Sequence, residues 1–173
     1  MGLTRERKLV RDLMQVGVTT VPPTMPVRKI AELMLERSLD AVIVLDPDDG
    51  HAVGVISQVE LVKAYIQDNA QTLVASNIMS EDVPQAPPDI PLKAACEMMI
   101  DQRQRTFFLM HHAGGAVYPA AFLSFFHILR HLLAEEETDL QGLGIEAKRN
   151  NPVEMYIERR DAARRRLQIQ RQE

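Results

Sequence analysis

The side chains best suited to catalysis or metal binding are the histidines and the one cysteine of the chain. His127 and His131 are four residues apart, a spacing that places two imidazoles on one face of a helix. No glutamate lies between them, and no thiolate or acid is tied to them by spacing. Cys96 falls on the apolar face of a helical pattern, where a small buried hydrophobe is the ordinary role. Because no nucleophile, base and orienting acid come together, we expect neither an enzyme nor a metal site.

Ser57 and Glu60 form a further polar pair, immediately before a helical pattern. The serine can cap the helix and the glutamate can return a hydrogen bond to the serine backbone, which is a capping box. This local role explains the pair without a ligand. The same hydroxyl and carboxylate could also bind the polar groups of a ligand, and the sequence alone leaves both roles open.

Composition limits what these side chains can belong to. The chain has 173 residues, of which 46% are apolar and 25% charged, with a formal net charge of −4. This length allows one ordinary domain or two small modules with a shared core. A single cysteine excludes an internal disulfide and a cysteine-only zinc site, so hydrophobic burial must stabilise the fold.

An internal repeat organises residues 9–133. At an offset of 65 residues, Asp12-Leu13-Met14 aligns with Asn77-Ile78-Met79, and Ala31-Glu32-Leu33-Met34 with Cys96-Glu97-Met98-Met99. The offset then becomes 67, where Gly54-Val55-Ile56-Ser57 aligns with Ala121-Phe122-Leu123-Ser124. A repeat of this kind indicates two copies of one structural unit.

Each copy predicts the same order of elements. An extended proline-containing segment (18–23 and 83–88) precedes a helix that starts at Pro26 or Pro91, where a missing N–H costs nothing. A short apolar run (41–45 and 106–110) then predicts a buried strand. A polar loop (46–50 and 111–115) leads to a second strand (53–56 and 120–123) and to a helix that ends near residue 66 or 133. We therefore predict an α/β fold in which each copy is strand–helix–strand–strand–helix and the copies pack face to face.

These residues resemble a known family, the tandem cystathionine-β-synthase (CBS) domains whose pair is often called a Bateman module. The resemblance rests on Met14 and Met79 before the extended segments, on the proline-initiated helices, and on the Gly-apolar-apolar-Ser-x-x-acid segment of residues 54–60. It implies two pseudo-symmetric CBS domains, at residues 9–66 and 74–133. Residues 134–173 then form a C-terminal helical extension with an acidic linker and a basic helix.

The resemblance implies a regulatory function without catalysis. In this family the cleft between paired domains binds adenine nucleotides or related adenosyl ligands, so AMP, ADP, ATP or S-adenosylmethionine becomes the expected regulatory ligand, and no cofactor is required. Ser57 would face the phosphate and Glu60 the ribose diol. In the second copy His127 stands at the acid position, where a neutral imidazole would bind a diol and a protonated one would attract phosphate. The ligand-binding residues expected from both copies are Thr19, Thr20, Ala41, Ser57, Glu60, Val83, Arg103, Arg105, Thr106, Ser124 and His127.

The partners follow from charge and hydropathy. At the N-terminus, charged residues occur before any apolar run of signal-peptide length, so we expect no signal peptide. Polar residues and a proline interrupt the longest apolar stretch, residues 118–133, so we expect no membrane span and a cytoplasmic protein. The net negative charge makes nucleic acid an unfavourable partner. Residues 147–173 hold eight basic and four acidic side chains, and we expect this basic tail to pack on the module or on a second subunit. The sequence favours a homodimeric sensor that relays ligand occupancy to another protein. The alternative is an oligomerisation or scaffold module whose cleft binds no ligand.

Overall fold

The computed structural model describes residues 8–135 and 137–145. Within these residues, the helices and strands follow the order that the repeat predicts, except that the extended segment of the second copy forms only an isolated bridge, between Gln85 and Phe108. In chain order they are α1 (Val10–Leu13), β1 (Gln15–Val16), β2 (Thr20–Val21), α2 (Val27–Glu36), β3 (Ala41–Leu45), β4 (Ala52–Ser57), α3 (Gln58–Tyr65), α4 (Ala75–Ile78), α5 (Leu92–Asp101), β5 (Thr106–Ala113), β6 (Ala116–Ser124) and α6 (Phe125–Leu133). Short 3-10 turns lie at Ala70–Thr72 and Glu137–Leu140. The predicted C-terminal helix, which begins at residue 152, lies outside the described residues.

Helices α2 and α5 bury the faces that their apolar spacing predicts. The buried side chains of α2 are Val27, Ile30 and Met34, and those of α5 occupy the equivalent positions. Pro26 and Pro91 are the N-cap residues, each with an extended ψ near 138°, so each helix begins one residue later than predicted. The proline ring fixes φ at a value that both positions accept.

The second copy differs from its prediction in the loop between its strands. His111 and His112 belong to β5, not to a loop, because the antiparallel pairing of β5 with β6 continues to Ala113 and Ala116. Only Gly114 and Gly115 form the turn, with φ of 59° and 81°. Two consecutive positive φ values characterise the tight turn that suits a right-twisted hairpin, and glycine adopts them without strain.

The N-terminal segment of each copy joins the sheet of the other copy. The described residues form two three-stranded sheets, with strand orders β2-β3-β4 and β1-β6-β5. Strand β1 lies in the N-terminal segment of the first copy, yet its Gln15 pairs with Phe122 of the second copy. The equivalent residue Ser80 pairs with Val55 of the first copy. This reciprocal exchange ties the two copies together and gives the molecule a pseudo-twofold axis.

The two sheets face each other across a shared apolar layer. Ile43 and Val55 of the first sheet pack with Phe108 and Met110 of the second, and all four side chains are buried. Burial of such side chains is the main favourable contribution to folding. The copies therefore form one body, with the starts of β3 and β5 close to the axis.

The chain after α6 returns to the N-terminal helix. The Gly144 N–H donates to the Met14 carbonyl (2.9 Å) and the Ile145 N–H to the Arg11 carbonyl (2.8 Å). Arg130 of α6 donates to the carbonyl oxygens of residues 139 and 141 at 2.9 and 3.2 Å. The described start of the extension thus packs on the module. No helix in the described ranges has both the length and the apolar character needed to cross a membrane.

Candidate functional site

Two clefts open where β3 and β5 begin, one on each side of the pseudo-twofold axis. We name them the Ser57 cleft and the His127 cleft, and their volumes are about 250 Å³ and 210 Å³. Four residues line both: Asp40, Ala41, Thr106 and Phe108. Ala41 pairs with Ser57 across the first sheet, as Thr106 pairs with Ser124 across the second. The symmetry of the repeat therefore brings the polar residues at the start of α3 and α6 to equivalent places.

The Ser57 cleft contains the capping box that the sequence predicts. Ser57 is the N-cap of α3, and its hydroxyl oxygen accepts a hydrogen bond from the Val59 N–H at 3.1 Å. The Glu60 carboxylate accepts from the Ser57 N–H at 2.9 Å and also from the Ser57 hydroxyl. Lys63 Nζ lies 3.7 Å from Glu60 Oε1. Since a carboxylate offers about four lone-pair positions, Glu60 can cap the helix and still accept from a ligand.

Three cationic side chains line the Ser57 cleft. Lys63, Arg103 and Arg105 all line it, and all are exposed. Arg105 donates to the side-chain amide oxygen of Gln58 at 3.1 Å, so it bridges the two copies. Arg guanidinium groups bind phosphate with two parallel hydrogen bonds, and Lys binds it as a point charge. These three side chains can bind an anionic group, and the exposed carboxylate of Asp82 lines the same cleft.

The backbone at Arg103 is held in the left-handed region, with φ of 55°. The Arg103 N–H donates to the Ile100 carbonyl and the Gln104 N–H to the Met99 carbonyl, which is the hydrogen-bond pattern of a Schellman cap at the end of α5. Ser38 ends α2 in the same way, with φ of 52°, and lines the His127 cleft. Glycine is the usual residue here because a Cβ strains this conformation. Each cleft therefore has a strained non-glycine residue in its wall.

The His127 cleft has no acid at the position that Glu60 occupies in its counterpart. His127 is 2% exposed. Its Nδ1 accepts from the Ser124 N–H, and its Nε2 lies 3.2 Å from Gln15 Oε1. Burial, with a smaller contribution from Arg130, lowers the pKa of His127 from 6.5 to about 4. The imidazole is therefore neutral at physiological pH, with both ring nitrogens already bonded, and attracts no phosphate.

Nine of the eleven residues predicted to bind ligand line one of the two clefts. Thr20 and Val83 line neither. The remaining nine are Thr19, Ser124 and His127 in the His127 cleft, Ser57, Glu60, Arg103 and Arg105 in the Ser57 cleft, and Ala41 and Thr106 in both. Thr20 is exposed on β2, because alternate residues of a strand point to opposite faces.

Sequence reasoning missed several lining residues. Gln15 and Ser80 reach the clefts only through the exchange of N-terminal segments, and no local pattern signals that exchange. Phe108 lies in a run that the sequence identifies as a buried strand, without indicating that it lines a cleft. Lys63 could have been found, because it follows Glu60 by three residues and shares its helix face.

The histidines and the cysteine are the side chains that the sequence offers for catalysis or metal binding. Within residues 8–135 and 137–145, no group of three or more His, Cys, Asp or Glu side chains is arranged to hold a metal ion. His111 stacks on Tyr118 with ring centroids 5.9 Å apart. Burial raises the pKa of the Cys96 thiol, so the reactive thiolate form is disfavoured.

Solved structures of other proteins have a similar fold. The chain is similar to an uncharacterized conserved protein from Pyrococcus horikoshii (17% identity, covering 76% of this chain and 96% of that chain, TM-score 0.65). It is also similar to a CBS-domain containing protein from Agrobacterium tumefaciens (21% identity, 77% and 99% covered, TM-score 0.64). A third similar structure is the CBS domain pair of protein MJ0100 in complex with 5′-methylthioadenosine and S-adenosyl-L-methionine (18% identity, 72% and 95% covered, TM-score 0.62). At these identities the likeness shows the fold.

The family itself follows from the sequence match. The model of the CBS domain matches residues 10–67 and again residues 74–133. These two ranges are the two copies of the internal repeat and make up most of the 173 residues. The chain therefore belongs to the CBS domain family and carries two CBS domains in tandem.

Proposed function

We propose that this protein is a non-enzymatic regulatory module that binds an adenine nucleotide or an adenosyl ligand in the Ser57 cleft and relays occupancy to a partner protein. One observation carries the proposal. The Ser57 cleft combines an apolar wall at Val55 and Phe108 with Glu60 and with exposed cationic side chains. A nucleoside phosphate needs these three features, for its base, its ribose hydroxyls and its phosphate.

The two clefts differ in the number of charged groups that line them, and the difference favours one ligand per chain. The Ser57 cleft is lined by three cationic side chains and by the carboxylates of Asp40, Glu60 and Asp82, whereas the His127 cleft is lined by Arg37 and Asp40. Serine stands at position 38 where the second copy has Arg103, and Asp40 stands where it has Arg105. The CBS domain pair of protein MJ0100, which has the same fold, is described in complex with 5′-methylthioadenosine and S-adenosyl-L-methionine. This supports an adenosyl ligand and leaves the choice between nucleotides and sulfonium compounds to experiment.

Calorimetric titration tests the ligand. AMP, ADP, ATP and S-adenosylmethionine are titrated separately into the full chain, the Arg103→Ala variant and the Arg28→Ala variant. Arg28 is an exposed arginine paired with Glu32 on α2, and its removal matches the loss of charge at Arg103. We expect AMP affinity to fall about three- to tenfold in Arg103→Ala and to stay unchanged in Arg28→Ala. No heat for any of the four compounds with the wild-type chain would overturn the proposal.

The proposed module is a homodimer through α3 and α6. Two equivalent sets of large apolar side chains are more than half exposed: Val59, Val62, Tyr65 and Ile66 on α3 and its C-cap, and Phe126, Leu129, Leu132 and Leu133 on α6. In each set the residues recur at i, i+3, i+6 and i+7, which is an apolar helix face. Exposed apolar faces of this size mark protein interaction sites. A second copy is the natural occupant, because a twofold dimer pairs equivalent surfaces.

Light scattering tests the dimer. We expect the wild-type chain to have roughly twice its mass of 19.6 kDa. Leu129→Glu and Val62→Glu place a charge on the α6 and α3 faces and should shift the mass toward that of one chain. Leu35→Glu is the control, because Leu35 is 81% exposed but lies on α2. A wild-type chain that runs as a monomer at all concentrations would contradict the dimer.

A scaffold module with a ligand-free cleft is the second candidate function. The observation that favours it is the Glu60 carboxylate, which already accepts two hydrogen bonds from Ser57. Denaturing the purified protein and scanning the supernatant near 260 nm separates the two functions, because the chain has no Trp and only three Tyr. Released adenine absorbance supports the sensor. Its absence, together with no heat on titration, supports the scaffold.

A further inference from the structure

Arg105 contacts the first residue of both helices that carry the proposed dimer face. Its carbonyl oxygen accepts a hydrogen bond at 3.1 Å from the N–H of Phe125, where α6 begins. Its guanidinium donates at 3.1 Å to the side-chain Oε1 of Gln58, where α3 begins. One residue that lines the Ser57 cleft therefore links the N-terminal ends of α3 and α6.

The pseudo-symmetry of the fold does not require the side-chain half of this link. Asp40 is the counterpart of Arg105 in the repeat, and its carbonyl oxygen accepts from the Gln58 N–H at 3.2 Å. The counterpart of Gln58 is Phe125, whose ring has no hydrogen-bonding group. The backbone bond is thus common to both copies, whereas the bond between guanidinium and amide depends on the side chains of Arg105 and Gln58.

The guanidinium of Arg105 is bound to a partner that a phosphate group can displace. The side-chain amide of Gln58 is uncharged, and both residues are exposed. Within residues 8–135 and 137–145, Arg105 is in no ion pair, although three carboxylates line the same cleft. A phosphate is charged and can accept two parallel hydrogen bonds from one guanidinium, so it is the stronger partner. A phosphate bound at Arg105 would therefore replace the bond to Gln58.

The link lies next to the surface through which two chains are proposed to associate. Gln58 directly precedes Val59, the first exposed apolar residue of the α3 face, and Phe125 directly precedes Phe126, the first of the α6 face. A twofold dimer that uses both faces needs the two helices in a fixed relative position. A link that fixes the helix ends before association lowers the entropy that association costs. The intact link therefore favours the dimer.

We propose that Arg105 couples ligand occupancy to the association of two chains: its bond to Gln58 is closed in the dimer without ligand and open when a phosphate occupies the Ser57 cleft. The inference rests on the proposed function and names how occupancy is relayed. AMP weakens the dimer, and by thermodynamic linkage dimerisation weakens AMP binding by the same factor. That factor is about two- to fivefold, the size expected for one exposed side-chain contact.

The test measures the dimer dissociation constant by sedimentation velocity, with and without saturating AMP. The proteins are the full-length wild type, Gln58→Ala, Arg105→Ala and Gln71→Ala. AMP should raise the dissociation constant of the wild-type dimer about two- to fivefold. Gln58→Ala lacks the link, so its constant should already be raised by this factor and should not respond to AMP. Gln71 is exposed on the 3-10 turn Ala70–Thr72 and lines neither cleft, so Gln71→Ala should behave like the wild type.

The affinity for AMP separates loss of the link from damage to the cleft. Removal of the Gln58 side chain leaves the guanidinium without its competing partner. Isothermal titration of Gln58→Ala should therefore show AMP affinity about two- to fivefold higher than that of the wild type, whereas a damaged cleft would bind AMP more weakly. Arg105→Ala removes both the link and the phosphate partner, so it should weaken the dimer and AMP binding together.

Three results would overturn the inference while leaving ligand binding intact: a wild-type dimer that AMP does not weaken, a Gln58→Ala dimer that still responds to AMP, or a Gln58→Ala variant that binds AMP no more tightly than the wild type. A wild-type chain that binds none of AMP, ADP, ATP and S-adenosylmethionine would instead overturn the proposed function, and the inference with it.

Discussion

Replacing Gly54 with alanine tests the exchange of N-terminal segments that builds the Ser57 cleft. Gly54 lies in β4, beside the segment that arrives from the second copy. A Cβ added there would lie 2.8 Å from the Ser80 carbonyl oxygen and 2.9 Å from Met79 Sδ. Neighbouring Val55 exchanges two backbone hydrogen bonds with Ser80, at 2.8 and 2.9 Å. The closest atom is therefore backbone that is already bonded, and it cannot move aside as a flexible side chain can.

The loss of stability expected for Gly54→Ala follows from this close contact. Forcing one extra methyl group into a packed site of this kind costs about 1–3 kcal/mol of the free energy of unfolding. For a chain of this length, 1 kcal/mol changes the melting temperature by roughly 2–4 °C. We expect Gly54→Ala to melt about 2–12 °C below the wild type. AMP binding should weaken as well, because Val55 and Ser80 both line the Ser57 cleft.

Gly114→Ala is the control for loss of a glycine. Gly114 has φ of 59°, and a Cβ there meets no atom within 4 Å. This variant should lose stability from backbone strain alone and should bind AMP like the wild type. Scanning calorimetry and isothermal titration give both quantities. A Gly54→Ala protein with wild-type melting temperature and wild-type AMP affinity would refute the close approach of the exchanged segment.

Three further predictions concern the capping and titrating residues. Ser57→Ala removes the N-cap of α3 and should lower the free energy of unfolding by about 1 kcal/mol, measured by urea denaturation; an unchanged value would show that the cap is not formed. His127 has a folded pKa below its unfolded value, so the unfolded chain binds more protons between pH 6.5 and about 4. The free energy of unfolding should therefore be highest above pH 6.5 and should fall by up to roughly 3 kcal/mol toward pH 4. His127→Gln should reduce this pH dependence, measured by urea denaturation at pH 7 and pH 5. The same pH dependence in both proteins would contradict a neutral buried imidazole. Ser38→Gly removes the Cβ strain of the left-handed backbone conformation at the end of α2. It should raise the free energy of unfolding by about 0.5–1 kcal/mol after the entropic cost of glycine. A lower midpoint of urea denaturation would count against strain at this position.

Patterns within a few consecutive residues predicted the helices, strands and helix cap that form from neighbouring residues. The spacing of Ile30 and Met34 identified the buried face of α2, and the apolar run from residue 41 identified β3. The capping box at Ser57 and Glu60 is present as predicted. In each case the signal lies within a few residues of the feature, so one sequence contains enough information.

Features that depend on distant segments were not predictable in this way. Gln15 pairs with Phe122, more than a hundred residues later, and no spacing rule connects them. The neutral state of His127 depends on burial, which exists only in the fold. The loop expected at His111 and His112 was wrong for another reason: the two following glycines suffice for the turn, so the strand continues through the histidines.

The two copies show how a duplicated unit can acquire unequal sites. Where the first copy has Glu60, the second has His127, and where the second has Arg103, the first has Ser38. The backbone is nearly the same at both positions, since Ser38 and Arg103 have φ of 52° and 55°. The fold therefore preserves the geometry of both clefts while the side chains give the Ser57 cleft more charged groups than the His127 cleft. Only the Ser57 cleft combines a carboxylate behind its serine with two arginines.

The most direct measurement is the crystal structure of the full chain grown with AMP. The proposed function predicts electron density for one AMP per chain in the Ser57 cleft, with its phosphate at Arg103 or Arg105 and its base against the apolar wall of Val55 and Phe108. Density for AMP in the His127 cleft alone, or no density at a concentration that saturates the calorimetric titration, would contradict it.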